Sequence, residues 1–105
     1  MPIDPATLRF DRQYRTPYSE GYNILQAGQR LGRVDLHYTT TVVYATLVLE
    51  RDLPEGELFD LIEQIDENIV LSAETHREDF LVTVFRGTEL GLYDDAFLSE
   101  QRGEK

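Results

Sequence analysis

The chain has 105 residues, 41% hydrophobic and 29% charged, which is ordinary for one small globular domain. Its formal net charge of -10 leaves it without the basic surface that binding to nucleic-acid phosphates needs. It contains no cysteine, which excludes disulfides, thiolate catalysis and cysteine-bound metals and fits a reducing compartment.

Residues 1–20 differ in composition from the rest of the chain. Three prolines interrupt regular structure there, and three arginines balance three acidic residues. We interpret this segment as an N-terminal arm that packs on the domain through Phe10, Tyr14 and Tyr18 or stays mobile. The expected organisation is this arm, a single α+β domain at 21–90, and a partly disordered C-terminal tail at 91–105.

The pattern after the arm predicts three strands in succession. Residues 22–27 form the first, and the glycines of 28–32 supply a hairpin loop. In 33–39 apolar and polar residues alternate, which predicts a strand with one buried face and one solvent-exposed face. The run 42–49 is apolar on both faces, as in a central strand, and a turn near Thr40 precedes it.

The clearest element is an amphipathic helix from about 54 to 69. Asp52 and Glu55 have the spacing of a capping box, and Pro54 is tolerated in a first helical turn. Apolar residues recur at helical spacing on one side, namely Leu58, Leu61, Ile62, Ile65 and Ile69. Burying them contributes roughly 8–15 kcal/mol before entropy, whereas each pair of neighbouring acids costs only about 0.2–0.5 kcal/mol. The helix therefore forms despite its charge.

Two more β-like runs, 70–76 and 80–86, follow the helix, and a short helix is expected around 94–100. The predicted fold class is α+β: an antiparallel sheet, in the order β-β-β-α-β-β along the chain, with one amphipathic helix on one face. One helix covers only one face, while the run 42–49 needs cover on both. The arm could supply that cover, or a second copy stacked on the sheet, and we expect a homodimer.

Nothing in the sequence indicates a membrane or secreted protein. The longest apolar run is far shorter than the roughly 20 residues of a membrane-spanning helix. The first residues lack the basic start and apolar core of a secretory signal. We expect a cytoplasmic protein without a membrane or nucleic-acid partner and without a cofactor.

The predicted strand at 33–39 carries the first candidate site. Arg33, Asp35, His37 and Tyr38 lie close together there as possible ligand-binding residues. Asp35 and His37 share one face of the strand, as an acid–base pair or part of a metal site requires. An exposed histidine in an ordinary sheet has the same pattern.

Other catalytic signals are weak. His76 has carboxylates nearby in residues 74–79, but a charged turn has the same composition. Neither histidine has the spacing or the third ligand of a zinc site, so no metal is expected. The serines lack a nucleophile motif, and no glycine loop suited to a phosphate or dinucleotide occurs.

The acidic side of the predicted helix is the second candidate site. Residues 50–79 hold eleven acidic residues against two arginines, which is nearly the whole net charge. Asp60, Glu63 and Glu67 fall opposite the apolar side, and the helix contains no lysine or arginine to pair with them. A solvated helix face is the plain alternative to a docking surface for a basic partner.

Two functions follow from these sites. The first is a non-enzymatic protein-interaction or regulatory module, homodimeric, whose acidic helix face binds a basic partner. The alternative is a small-molecule-binding protein or minor enzyme with a pocket near Asp35 and His37. A salt-sensitive basic partner would favour the first function. A ligand-induced rise in melting temperature that is lost on His37→Ala would favour the second.

Overall fold

The computed structural model describes residues 3–70, 78–101 and 103. These residues form a five-stranded sheet, two α-helices and a π-helical turn. In chain order the elements are β1 (Leu8–Thr16), β2 (Ser19–Gln26), β3 (Gln29–Tyr38), β4 (Val42–Leu49), α1 (Glu55–Ile65), the π-turn (Asp66–Val70), β5 (Asp79–Arg86) and α2 (Asp95–Gln101). The predicted α+β class is confirmed, although the order of elements is β-β-β-β-α-β-α.

The strands lie in the sheet in the order in which they occur in the chain. β1 to β4 form an antiparallel meander, and the predicted turn near Thr40 joins β3 to β4. β5 instead runs parallel to β4, because the chain crosses back along the sheet through α1 before β5 begins. The prediction of a purely antiparallel sheet is therefore wrong at this pair, and the sheet is mixed.

β1 lies within the segment predicted as an arm. Leu8 and Phe10 alternate with charged residues, as a strand with one covered face requires. Past Arg12 the pairing with β2 shifts register through a β-bulge, so Tyr14 lies on the opposite face of the sheet from Phe10. The bulge breaks the alternation by which the strand could be recognised.

The turn between β2 and β3 is shorter than the loop predicted at 28–32. It consists of Ala27 and Gly28, whose φ angles of 52° and 79° are both left-handed. Two successive left-handed residues are the geometry of a type I′ hairpin turn. Gly32 lies within β3 instead, where a Cβ would collide with the backbone carbonyl oxygen of Val48 in β4.

α1 packs on one face of the sheet through the apolar side that its sequence spacing predicts. Leu61 and Ile65 of α1 and Ile69 of the π-turn are buried, and Leu58 and Ile62 are half-buried. They join a core formed by strand residues that share one face, including Ile24, Val34, Leu36, Val43, Ala45 and Leu47. We call this face the helix-covered face.

The ends of α1 differ from the prediction. Pro54 is the N-cap, and no side-chain hydrogen bond caps the first turn, so the predicted capping box is wrong. At its other end the helix passes into the π-turn. The strand predicted at 70–76 lies outside the described residues apart from its first residue, which belongs to the π-turn. α2 confirms the short helix expected around 94–100.

The second face of the sheet, which we call the open face, has no helix packed on it in the part of the chain that the structure describes. Tyr44 and Leu81, neighbours in register between β4 and β5, are 48% and 45% exposed there, and Phe85 is 54% exposed. No helix within the described ranges is long and apolar enough to cross a membrane.

Candidate functional site

Arg33 and Asp35 of β3 lie on the open face, where Tyr14 of β1 joins them. Arg33 Nε donates to Asp35 Oδ2 at 3.0 Å, and Arg33 Nη2 donates to Asp35 Oδ1 at 3.1 Å, a two-point ion pair. The Tyr14 hydroxyl donates to Asp35 Oδ1 at 2.8 Å. The Arg33 guanidinium lies over the Tyr14 ring, 5.8 Å from its centre. We call these three residues the open-face cluster.

The pairing of three strands brings Tyr14 to this cluster. The bulge in β1 sets Tyr14 opposite Gly21 of β2, and Gly21 is opposite Asp35 of β3. Because Gly21 has no side chain, the Tyr14 ring can cross β2 and place its hydroxyl on the carboxylate beyond. The cluster therefore depends on a glycine at the middle strand.

The electrostatics of the open-face cluster fix its charge states. Burial raises the pKa of Asp35, but hydrogen bonds from Arg33 and Tyr14 and the charge of Arg33 outweigh burial, so its net pKa lies below that of an ordinary aspartate. The hydrogen bond to Asp35 raises the pKa of Arg33. Burial raises the pKa of Tyr14, and the hydrogen bond to the Asp35 carboxylate raises it further. At neutral pH Asp35 is a charged acceptor with both oxygens engaged.

His37 shares the open face with Asp35 but lies outside the cluster. It is exposed near the end of β3, and the hydrogen bonds of Asp35 go to Arg33 and Tyr14 instead. Across the described ranges, no three histidine, aspartate or glutamate side chains come together as a metal ion would require. His76, the other histidine considered, lies outside the described residues.

Tyr38, also predicted for this site, lies on the helix-covered face in a different cluster. Its hydroxyl donates to Glu20 Oε2 at 2.6 Å, and the Tyr22 hydroxyl donates to Glu20 Oε1 at 3.1 Å. Arg12 and Arg15 approach the same carboxylate at 3.7 and 3.8 Å. Burial, and then the hydrogen bond to Glu20, raises the pKa of Tyr38. Glu20 is only 8% exposed, and the surrounding hydrogen-bond donors and arginines stabilise its nearly buried carboxylate.

A second group of ion pairs borders the open-face cluster. Arg30 pairs with Glu50 at 3.2 Å and with Glu89 at 3.6 Å, and Glu89 lies 3.9 Å from Arg33. These residues, together with Val48, line a cavity of about 230 Å³. Because each arginine already has carboxylate partners, the cavity offers no unpaired positive charge to an anionic ligand.

Another cavity, of about 340 Å³, lies on the other side of the sheet between the start of β1 and the π-turn. Phe10 and Tyr22 form part of its wall, and the amide groups of Gln64 and Asn68 are also there. Asn68 Nδ2 donates to the Gln64 carbonyl oxygen at 2.8 Å and to Gln64 Oε1 at 3.1 Å, so these amides bond to each other. Neither cavity is lined by Asp35 or His37.

The acidic side of α1, which we define as Asp60 and Glu63 of the helix and Glu67 of the π-turn that continues it, faces away from the sheet. Asp60, Glu63 and Glu67 are exposed, and none of them forms an ion pair with another described residue. Most of the described arginines are engaged elsewhere. Six of the seven in the described ranges pair with carboxylates outside α1. The acidic side is thus left without a counter-charge from this part of the chain.

Tyr14 and Glu89 were not among the residues predicted for the first site. The alternation of apolar and charged residues in 8–11 was a usable signal for β1, and hence for a tyrosine beside β2. No local signal in the sequence indicates Glu89 as a site residue. Because β5 pairs in parallel with β4, the residues that follow β5 lie at the end of the sheet where β4 ends, and Glu89 there comes within reach of Arg33.

The described chain is therefore a small α+β domain with a mixed sheet, one covered face and an acidic helix. Comparisons with protein families, curated proteins and solved structures found no match to it. Its function has to be inferred from the geometry of its own residues.

Proposed function

We propose that this protein is a non-enzymatic interaction module of a regulatory kind, that it acts as a homodimer, and that the acidic side of α1 binds a basic protein partner. The observation that carries the proposal is the group formed by Asp60, Glu63 and Glu67, which is exposed and has no ion-pair partner among the described residues. Carboxylates without a counter-charge attract a basic ligand, and the attraction weakens as salt screens it.

These carboxylates belong to a helical segment that is held in place by packing on the sheet. Leu61 and Ile65, on the opposite side of α1, have no solvent exposure, so the helix is anchored on the sheet. A partner that binds here meets charges whose spacing is already set. Binding then costs less conformational entropy than binding to an acidic tail, because fewer backbone and side-chain groups must be ordered.

The homodimer is proposed from apolar residues that lie outside the core. Tyr44, Leu81 and Phe85 are about half exposed on the sheet, and Leu90 and Leu92, beyond β5, are 93% and 97% exposed. Exposed apolar surface of this extent on a small protein is typical of a protein–protein interface. A second copy would remove part of this surface from water.

The alternative, a small-molecule-binding protein or minor enzyme near Asp35 and His37, has less support. Arg33 and Tyr14 engage both oxygens of Asp35, so acid–base use of this carboxylate would require the ion pair to open first. A ligand that raises the melting temperature of the wild type but not of His37→Ala would favour this alternative.

Binding of a fluorescent peptide rich in lysine and arginine tests the role of the acidic side. The triple variant Asp60→Asn/Glu63→Gln/Glu67→Gln removes three exposed charges and leaves the buried side of α1 unchanged. We expect its affinity for the peptide at low salt to be about ten-fold weaker than that of the wild type. The wild-type affinity should fall as the salt concentration rises.

The matched control is Glu78→Gln/Asp95→Asn/Glu100→Gln, which changes the net charge equally at exposed positions outside α1. It should lose no more than about two- to three-fold, because only the general attraction of an acidic chain weakens. Equal losses in the two triple variants would contradict docking on α1. Sedimentation equilibrium of the wild type tests the dimer separately, and a monomer at micromolar concentration would contradict it.

A further inference from the structure

We infer that residues 90–98 of each copy dock on the open face of a second copy, so that two chains exchange these residues reciprocally. We call residues 90–98, which include the first half of α2, the apolar C-terminal segment. This inference rests on the homodimer of the proposed function and names the two surfaces that form it.

The surface that receives the segment is the half of the open face formed by β4 and β5. Leu81, Thr83 and Phe85 lie on this face of β5, and β4 places no charged residue there. Tyr44 of β4 is the register neighbour of Leu81. The charge of Asp79 lies at the border of this surface, where β5 begins. The middle of the surface can therefore leave water without burying a charge.

The apolar C-terminal segment is exposed within its own chain although it carries five large apolar side chains. Leu90 and Leu92 are almost fully exposed, and Tyr93, Phe97 and Leu98 are 55%, 41% and 39% exposed. The rings of Tyr93 and Phe97 contact each other, with 5.0 Å between their centres. No residue of α2 is buried. A helix of seven residues is not stable in water by itself, so α2 needs a surface on which to pack.

The start of the segment is held beside an open face. Glu89, the residue before it, pairs with Arg30 at 3.6 Å and with Arg33 of the open-face cluster at 3.9 Å. Residues 90–94 form neither helix nor strand and can span up to about 16 Å. Packed layers of secondary structure lie about 10 Å apart. The segment can therefore cross from its own sheet to a chain that faces it.

Two properties of the chain favour a second copy as the occupant. The receiving surface and the segment are both present on every chain, so a two-fold arrangement uses each of them once in each copy. In addition, the segment does not cover the open face of its own chain. Leu90 follows the anchored Glu89 directly and is nevertheless exposed, as is Leu92.

The amount of exposed apolar surface agrees with a dimer of this kind. The three apolar side chains of the receiving surface and the five of the segment together expose roughly 800 Å² in each copy, if a large side chain presents about 150–200 Å² when fully exposed. A stable interface of standard size buries about 800 Å² from each partner. These two surfaces are therefore sufficient for a dimer without a contribution from another part of the chain.

Two double variants of the whole chain test the two surfaces separately. Leu90→Ser/Leu92→Ser removes apolar side chains from the segment, and Leu81→Thr/Phe85→Thr removes them from the open face. Each should weaken dimerisation at least about ten-fold, because both docking contacts of the dimer are lost. Phe59→Gln, at an exposed apolar residue of α1, is the matched control and should leave dimerisation unchanged. Analytical ultracentrifugation measures all of these samples.

A mixture of the two double variants distinguishes exchange between chains from other contacts. The variant with an altered open face still has an intact segment, and the variant with an altered segment still has an intact open face. In an equimolar mixture one of the two docking contacts is restored. The mixture should therefore dimerise about ten-fold more tightly than either variant alone. A segment that folds back on its own chain gives no such rescue.

The outcomes separate this inference from dimerisation as such. A wild-type dimer that neither double variant weakens would overturn the exchange and leave the dimer of the proposed function standing. A weakened dimer that the mixture does not restore would do the same. A wild-type monomer at micromolar concentration would overturn both. Peptide binding by α1 is measured independently of these results.

Discussion

The ring of Tyr14 lies across Gly21, a residue of the neighbouring strand, so closely that no side chain fits between them. A Cβ at Gly21 would be 2.6 Å from Cδ2 of the Tyr14 ring. This contact lets the Tyr14 hydroxyl reach Asp35, one strand further on, at 2.8 Å. Because Gly21 of β2 has no side chain, one hydrogen bond can connect β1 with β3 across β2.

We predict that Gly21→Ala lowers the free energy of unfolding by about 1–3 kcal/mol, because the new methyl group displaces the Tyr14 ring and weakens its bond to Asp35. Gly56→Ala is the control. A Cβ there would have no atom within 4 Å apart from the adjacent residues and the helix backbone, and alanine should leave α1 unchanged or stabilise it by up to about 1 kcal/mol. Chemical denaturation compares the two variants. A Gly21→Ala protein as stable as the wild type would contradict the role assigned to the contact.

Asp35 should make stability depend on pH in the acid range. Its folded pKa lies below the value of about 3.9 expected in the unfolded chain, so the unfolded state binds protons more readily. Its contribution is therefore fully present above that unfolded value and is lost as the pH falls through the folded pKa. Asp35→Asn should lose about 1–2 kcal/mol at neutral pH and show a flatter acid dependence. Urea unfolding of both proteins across the acid range measures the difference, and parallel pH curves would contradict the prediction.

Tyr38 should have the opposite pH signature. Its folded pKa is raised, so its contribution to stability is complete below the unfolded value of about 10 and is lost as the pH rises towards the folded pKa. Tyr38→Phe removes one of the donors to the nearly buried Glu20 and should cost about 1–3 kcal/mol at neutral pH. Its stability should then fall less steeply than that of the wild type above about pH 10. Tyr18→Phe, at a residue 74% exposed, is the control and should match the wild type.

The turn between β2 and β3 predicts a stabilising substitution. Ala27 has a left-handed φ of 52°, which an alanine adopts only with steric strain. Asparagine followed by glycine is the preferred pair in a type I′ turn, so Ala27→Asn should raise the free energy of unfolding by about 0.5–1 kcal/mol. Ala27→Val should lower it, because a β-branched side chain tolerates this backbone least. Thermal melts of the three proteins give the order, and the reverse order would contradict the turn geometry.

The parts of the fold that the sequence predicts are encoded by local spacing. Leu61 and Ile65 lie four residues apart on one side of α1, and that spacing alone indicates which side is buried. The run 42–49 gives β4 its observed bounds because it is apolar at positions of both faces, as in a central strand. The separation of Tyr38 from Asp35 also follows from local periodicity, because an odd number of residues along a strand places two side chains on opposite faces.

The remaining parts depend on pairing between distant segments. The alternation in 8–11 indicates a strand, but the bulge past Arg12 interrupts it, so the face on which Tyr14 lies is evident only once β2 lies beside β1. The direction of β5 depends on where the crossover through α1 returns the chain, which no local pattern records. Tyr14 belongs to the candidate site for the first of these reasons and Glu89 for the second. The places of these two residues in the site were therefore beyond prediction from local patterns.

The irregular first strand has a consequence for how far association can proceed. A chain with two pairing borders could add neighbours without limit and grow into a fibre. Here the displaced pairing past Arg12 and the charged side chains of β1 protect one border of the described sheet against pairing with a further strand. A border protected in this way is a poor template for the next chain, so it opposes open-ended growth at that side of the sheet.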